Sequence, residues 1–420
     1  MVLQPTIRIS PIVVASILLI SFAALGRVCA DDLAVVEQRL LADAADGTLD
    51  EFSLLEASLI ASGVKDERAI ERYSSEFAHR IGRLSASGDH RSSGITEPER
   101  AYQLLHDEFL IGSYHSTCTE IDRAFDAGDY NCVTATVLYQ CICKWHGLSP
   151  VAVATKTHVR SRLLEERPFD VETTCREWFD LAAGDPRSQA LRAKQPGTRE
   201  LSDVELLAKI YYNRGVSLLE TKAFAEAIAL LRISQKFDPA DEPTRANMAA
   251  GLNNWALAEC DAGNFDRAVG LIAAGLDDYP EFAPLLANDV HVHQRYAASL
   301  CDQLRFAKAM QSLHAAHLRR ADVLLFHRGR FAVYGQWAVS LLESGNLKAA
   351  DNLFAAASDW FENSSEVSRY QSVAIQTAVE QLKHSGRNEE ANSLIHWALE
   401  RDPADPPLLK AVRRLTSANL

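Results

Sequence analysis

Five short segments keep one register: Phe224-Ala-Glu-Ala227, Phe265-Asp-Arg-Ala268, Phe306-Ala-Lys-Ala309, Leu347-Lys-Ala-Ala350 and Asn388-Glu-Glu-Ala391. Their last alanines stand at 227, 268, 309, 350 and 391, each 41 residues after the one before. Upstream, Gly215, Ala256, Ala297, Ala338 and Val379 repeat at the same interval, and Pro239, Pro280 and Pro403 share the register downstream. Self-similarity at a fixed period of this size marks a repeat architecture. Small residues let the two helices of a hairpin approach, an aromatic wedges between hairpins, and proline ends the second helix. One hairpin cannot bury its own apolar face, so the five predict a stacked all-α solenoid over residues 201–420. The middle repeats depart from the pattern, with no proline near 321 or 362.

The stretch Tyr211-Tyr-Asn-Arg-Gly-Val-Ser-Leu-Leu219, followed by Ala227, Leu231 and Asp238-Pro239, resembles the tetratricopeptide repeat, as does the final Leu399-Glu-Arg-Asp-Pro403. The resemblance covers about residues 205–412. The period of 41 exceeds that family's 34, so helices or turns must be extended. The resemblance implies a protein or peptide partner on the concave face lined by the first helices, with Tyr211, Arg214, Asn253 and His291 as candidate contacts.

Upstream the texture differs. Residues 32–113 read as amphipathic helices. Asp126-Ala-Gly-Asp-Tyr-Asn131 is a turn, Asn131 an N-cap, and Cys132–His146 a helix stopped by Gly147. Val151–Val159 reads as a strand and Phe169–Thr173 as a second, joined by a turn at Leu164–Pro168. Helices followed by a helix on paired strands make an α+β domain over 31–180. Gly184, Pro186, Pro196 and Gly197 mark 181–200 as a linker.

The Asn131 cap puts Cys132 in the first helical turn, where the helix dipole and unpaired N–H groups favour the nucleophilic thiolate. Period two puts His158 on one strand face with Ala152, Ala154, Lys156 and Arg160. Asp170 mirrors His158 across the turn, within reach of a carboxylate–imidazole hydrogen bond. Glu172 shares the face of Asp170 and is its rival. With Leu110-Ile-Gly-Ser-Tyr114, Gly128–Tyr139, Thr157-His-Val159 and Phe169–Thr174, this Cys–His–Asp order resembles the transglutaminase-like, papain-related superfamily over about residues 105–180. That resemblance implies Cys132 as nucleophile, His158 as base and Asp170 as orienter, acting on amide or isopeptide bonds without cofactor or metal. The Cys132 N–H would be one oxyanion donor, with Gln103 the side-chain candidate for the other. Against this stands a non-enzymatic envelope scaffold that keeps the domain for folding only, its cysteines being small buried hydrophobes.

At the N-terminus, Arg8, the apolar run from Pro11 to Leu25 and Val28-Cys29-Ala30 ahead of Asp31-Asp32 read as an export signal or a retained membrane anchor. The expected location is therefore the periplasm, cell envelope or exterior. A net charge of −13 excludes non-specific nucleic-acid binding, which needs a basic surface. Cleavage after Ala30 leaves Cys118, Cys132, Cys141, Cys143, Cys175, Cys260 and Cys301, an odd set with at least one free thiol. A Cys118–Cys175 disulfide is conceivable. His291, His293, His314 and His317 fall on different helix faces, so scattered histidines are the better reading than a zinc site.

Overall fold

A computed structural model describes residues 34–86, 95–164, 166, 168–179, 186 and 198–401. The export segment at 1–30, most of the 181–200 linker and Pro403 lie outside the described residues. The chain divides into two compact units, residues 1–255 and 256–420.

The first unit opens with helices α1 (Val35–Asp43), α2 (Leu54–Ala61), α3 (Glu67–Ala86), α4 (Glu97–Leu104) and α5 (Ile121–Asp126). Ser53 and Glu56 cap α2 reciprocally. Helix α4 runs into a single π turn, Leu105–Phe109. Helix α6 (Cys132–Trp145) is buried all round, from Val133 through Cys143, as a central core helix must be. It packs on a four-stranded antiparallel sheet of β1 (Pro150–Ala154), β2 (Val159–Leu163), β3 (Phe169–Val171) and β4 (Arg199–Leu201), ordered β3-β2-β1-β4. Thr136 Oγ1 ties α6 to the sheet, donating to the Val159 carbonyl at 3.3 Å and meeting Thr173 Oγ1 at 3.1 Å.

The stretch expected as one strand over 151–159 is broken. The Thr155 N–H donates to the His158 carbonyl at 2.8 Å, and the His158 N–H to Thr155 Oγ1 at 3.1 Å. The chain thus reverses between β1 and β2, which pair from Pro150↔Leu163 to Ala154↔Val159. Lys156-Thr157 contains none of the Gly, Asn or Asp that signals a tight hairpin, so the turn left no local mark.

Strand β4 leads directly into α7 (Asp203–Glu220) and α8 (Phe224–Phe237), the first repeat hairpin; α9 (Glu242–Asp261) follows. This first repeat is part of the N-terminal core. Leu207, Ile210, Tyr211, Ile233 and Phe237 join Leu40, Leu59 and Val137 in one apolar cluster. The Tyr211 hydroxyl donates to Glu37 Oε1 at 3.2 Å, and Lys144 pairs with Asp203. Each fully buried Leu- or Phe-sized side chain contributes about 1.5–3 kcal/mol. A free-standing array starting at 201 would expose this set, so the compact division falls later, at residue 255.

The second unit contains α10 (Phe265–Asp278), α11 (Ala283–Asp302), α12 (Phe306–Arg319), α13 (Leu324–Glu343), α14 (Leu347–Ala355, extended by a 3₁₀ turn to Asp359), α15 (Ser364–His384) and α16 (Asn388–Arg401). It is a helical repeat array. The second helices start at 265, 306, 347 and 388, on the period read from the sequence. The extra length sits in the first helices, which run to 20 residues in α11 and α13. Ala268, Ala309, Ala350 and Ala391 are completely buried. Helix ends do not need the proline: Tyr279 before Pro280 (φ −135°, ψ 64°) and Arg320 before Ala321 (φ −138°, ψ 73°) share one backbone geometry. No helix among the described residues is long and apolar enough to cross a membrane.

Each hairpin of this unit turns through a left-handed residue: Gly263 (φ 81°), Leu304 (57°), Gly345 (72°) and Gly386 (78°). Lys222 (62°) takes the equivalent place in the first repeat. For a side chain with a Cβ this conformation costs roughly 1–2 kcal/mol, and Leu304 is 70% exposed, so packing gives little back. Gly345 has open space around its Cα, which leaves φ as the sole constraint. We expect Leu304→Gly to stabilise the protein by about 1 kcal/mol and Gly345→Leu to destabilise it by a similar amount. Urea-unfolding midpoints of the two variants read this directly; shifts of the same sign would contradict it.

Candidate functional site

The site is built at the N-terminus of α6. Asn131 Oδ1 accepts from the backbone N–H groups of Val133 at 2.9 Å and Thr134 at 3.0 Å, which caps the helix. Its Nδ2 donates to Thr119 Oγ1 at 2.8 Å and to the Ser116 carbonyl at 3.2 Å, so the same side chain ties down the preceding loop. The cap is buried, and Cys132 follows it as the first helical residue, half-buried. At that position the Cys132 N–H has no intrahelical acceptor.

His158 stands at the entry to β2, directly after the Thr155 turn. Its Nε2–H donates to Glu172 Oε2 at 2.7 Å, and the Cys132 side chain lies close enough to the same ring to raise its pKa. With Nε2 committed to Glu172, Nδ1 is the nitrogen available to the thiol. Burial pushes the imidazole down, but the hydrogen bonds and charges of Cys132 and Glu172 outweigh it and hold His158 near about 10. Burial likewise pushes Glu172 up, and hydrogen bonds from His158 and Thr174 bring it below the usual carboxylate range. Thr174 gives Glu172 Oε1 its hydroxyl at 2.7 Å and its N–H at 3.3 Å. The Tyr102 hydroxyl donates to the Glu172 carbonyl at 2.8 Å and to that of Cys175, which fixes this segment from behind.

Asp170, expected to orient the imidazole, is elsewhere. Its Oδ2 accepts from Arg160 Nε at 3.1 Å and Nη2 at 2.8 Å, and its Oδ1 from Arg162 Nε at 2.6 Å. The reason is register. Arg162 pairs with Asp170 and Leu163 with Phe169, so the β2–β3 ladder pivots on residue 166; the expected mirror of His158 and Asp170 needed a pivot at 164. Moving the pivot by two residues shifts every cross-strand partner by four, which keeps each side chain on its face but sets Asp170 opposite Arg162. Glu172, two residues further along the same face, is the carboxylate that reaches His158. Arg160 and Arg162 bind Asp170, and Arg162 also donates to Glu200 Oε1 at 2.9 Å.

Other expected contacts also differ. Gln103 is exposed on α4. The aromatic residue near the thiol is Tyr114, held against Tyr130 by a parallel bridge, and burial and the neighbouring Cys132 raise its phenol to about 12. Cys118 and Cys175 are free thiols, and Cys175 Sγ donates to Glu177 Oε2 at 3.2 Å. Of the concave-face set, Tyr211 and Asn253 are buried, Arg214 is partly buried and donates to the Ala61 carbonyl, and His291 is exposed. His293 is buried against Ser312 Oγ at 3.1 Å, and burial lowers it to about 4. Among the described residues no three His, Cys, Asp or Glu side chains converge as a metal set.

No protein-family model and no curated protein matches the sequence. Among the solved structures that align, two show low similarity. One is the crystal structure of menin that reveals its binding site for the Mixed Lineage Leukemia protein: 11% identity, 89% of this chain, 91% of that chain and a TM-score of 0.36. The other is YrrB, a TPR protein with an unusual peptide-binding site: 15% identity, 49% of this chain, 92% of that chain and a TM-score of 0.18.

The imidazole yields a pH prediction. An unfolded histidine titrates near about 6.5, and folded His158 near about 10. The folded state thus binds the proton more tightly, and this stabilisation is complete below about pH 6.5 and lost as pH rises through about 10. Urea unfolding of the protein and of His158→Gln should differ most near pH 6 and converge towards pH 10; a gap that widens with pH would contradict this.

Proposed function

We propose that the first unit carries a thiol-dependent acyl-transfer centre of the transglutaminase-like kind, acting on amide or isopeptide bonds, with Cys132 as nucleophile, His158 as base and Glu172 as orienter. One observation carries the reading: an imidazole hydrogen-bonded to a buried, fully partnered carboxylate lies beside a thiol at a helix N-terminus. The chemistry follows from that chain. With the thiol proton already held on His158, the sulfur bonds to the substrate carbonyl carbon as the carbonyl π pair moves to oxygen. The tetrahedral species collapses, the C–N bond breaks, and imidazolium returns the proton to the departing amine. Water or a second amine then attacks the thioester and releases Cys132. Glu172 holds the ring tautomer and balances the imidazolium charge.

The helical repeats suit a protein or peptide ligand, because stacked hairpins expose a long continuous surface. The proposal therefore includes a polypeptide partner held by the array. It also includes export, which rests on residues 1–30; N-terminal sequencing of mature protein that starts before Ala30 would remove the cleaved-signal form of it.

Alkylation tests the centre. Burial raises the thiols of Cys118, Cys141 and Cys143, the last to about 12. Iodoacetamide near pH 7 should therefore modify Cys132 at least tenfold faster than any of these, as located by mass spectrometry. His158→Ala and Glu172→Gln should slow that step. Asp170→Asn should act on stability instead, since it leaves Arg160, 4% exposed, short of its counter-charge. Faster labelling of Cys118 or Cys143, or equal loss in Glu172→Gln and Asp170→Asn, would favour a scaffold without this chemistry.

A further inference from the structure

Among the described residues two arginines are only 4% exposed, Arg160 and Arg330. Asp170 answers the first. Arg330, on α13, has no carboxylate of the described residues within ion-pair reach: Glu362 is exposed and acts on it only through space, and Glu366 is taken by His327 Nε2 at 3.2 Å. The Arg330 Nη1 donates to the Trp360 carbonyl at 2.9 Å and to His314 Nδ1 at 3.0 Å, and its Nη2 meets His327 Nδ1 at 3.4 Å. The Phe361 ring lies 5.5 Å from the guanidinium carbon. The Arg330 Nε is buried with no hydrogen-bond partner. A guanidinium sunk in a helical core without a counter-charge is costly, and such a cost is characteristic of a binding site.

Three imidazoles crowd this charge. His314 and His317 come from the later turns of α12, and His327 from the first turn of α13. All three are partly exposed, so the cluster reaches the surface while Arg330 does not. An arginine can only donate, so the Nδ1 atoms of His314 and His327 act as acceptors and the proton of each ring sits on Nε2. Burial and the Arg330 charge push His314 and His317 down, which keeps them neutral beside it. His317 Nδ1 is a second buried nitrogen without a partner, and its ring centroid is 5.9 Å from that of His327. His317 makes no hydrogen bond with the described residues, so nothing of that kind holds its ring in place.

We infer that Arg330, His314 and His317 form a binding site for a phosphate group in the second unit. The site stands apart from the Cys132 centre and does not depend on the acyl-transfer reading. Arg330 Nε–H, His314 Nε2–H and the His317 N–H are the donors left over once the internal bonds are made. A tetrahedral oxyanion offers an oxygen to each and supplies the missing negative charge, whereas a single carboxylate has two oxygens for three donors. The chain carries a net charge of −13, so its overall field repels an anion and only a local cation can hold one.

Titration calorimetry of the full chain with inorganic phosphate at pH 7, ionic strength held by sodium chloride, should show one site. Arg330→Lys keeps the charge and loses the planar fork, and should weaken binding at least about tenfold. In the parent, phosphate should slow amide hydrogen exchange over residues 306–343, which include α12 and α13, and leave α6 unchanged; this readout needs no variant. Glycerol 3-phosphate separates the two sources of the group: tighter binding than inorganic phosphate assigns a phosphomonoester, weaker binding a free ion. No heat beyond the chloride-matched control, an unchanged affinity in folded Arg330→Lys, protection confined to other segments, or acetate binding as tightly as phosphate would each overturn the site.

Discussion

A carboxylate with 3% of its side chain exposed is costly unless each oxygen has a partner, and Glu172 meets that condition. Oε2 takes the imidazole N–H, and Oε1 takes the Thr174 hydroxyl and N–H. The remaining geometry follows from keeping this group ionised. It fixes which His158 nitrogen faces outward, and therefore which can meet Cys132. The Tyr102 hydroxyl holds the Glu172 backbone from behind, and the Asn131 cap begins α6 at Cys132. The neighbouring Asp170 is equally buried, but its charge is answered by Arg160 and Arg162. Two acidic residues on one strand face thus have separate tasks, one holding an imidazole and one holding the sheet.

The difference between those two carboxylates shows where sequence reading succeeds and stops. Local rules carried far. Asparagine ahead of an apolar helix located the Cys132 terminus, since capping depends on one side chain and two adjacent N–H groups. The spacing of small and aromatic residues located the repeat helices, since each hairpin packs by one local contact. Period two put Asp170 and Glu172 on the right face. The choice between them needed the ladder pivot, which depends on the length of turn between β2 and β3 and leaves no mark in residue type. The Thr155–His158 reversal and the pairing of Tyr114 with Tyr130 are non-local or lack turn residues, and were hidden for that reason. The left-handed hairpin residues were half visible: Gly263, Gly345 and Gly386 keep the period, while Lys222 and Leu304 interrupt it.

The first repeat links the two kinds of architecture. Its helices contribute Leu207, Tyr211 and Phe237 to the same apolar cluster as α6, and β4 just before it pairs with β1. Tyr211 and Arg214, which the repeat pattern would offer to a ligand, instead contact Glu37 and Ala61. A surface for a polypeptide partner therefore has to be sought in the later hairpins, where the first helices carry exposed residues such as His291.

The central claim is that His158 is held charged between Cys132 and Glu172. Ring ¹⁵N shifts of His158 in the intact protein test it most directly. At about pH 8, well above the ordinary value near 6.5, both ring nitrogens should be protonated, and Glu172→Gln, unlike Asp170→Asn, should lower the pH at which the ring loses its proton. A neutral His158 at that pH in the parent protein, or a ring that responds to Asp170→Asn and ignores Glu172→Gln, would contradict the account.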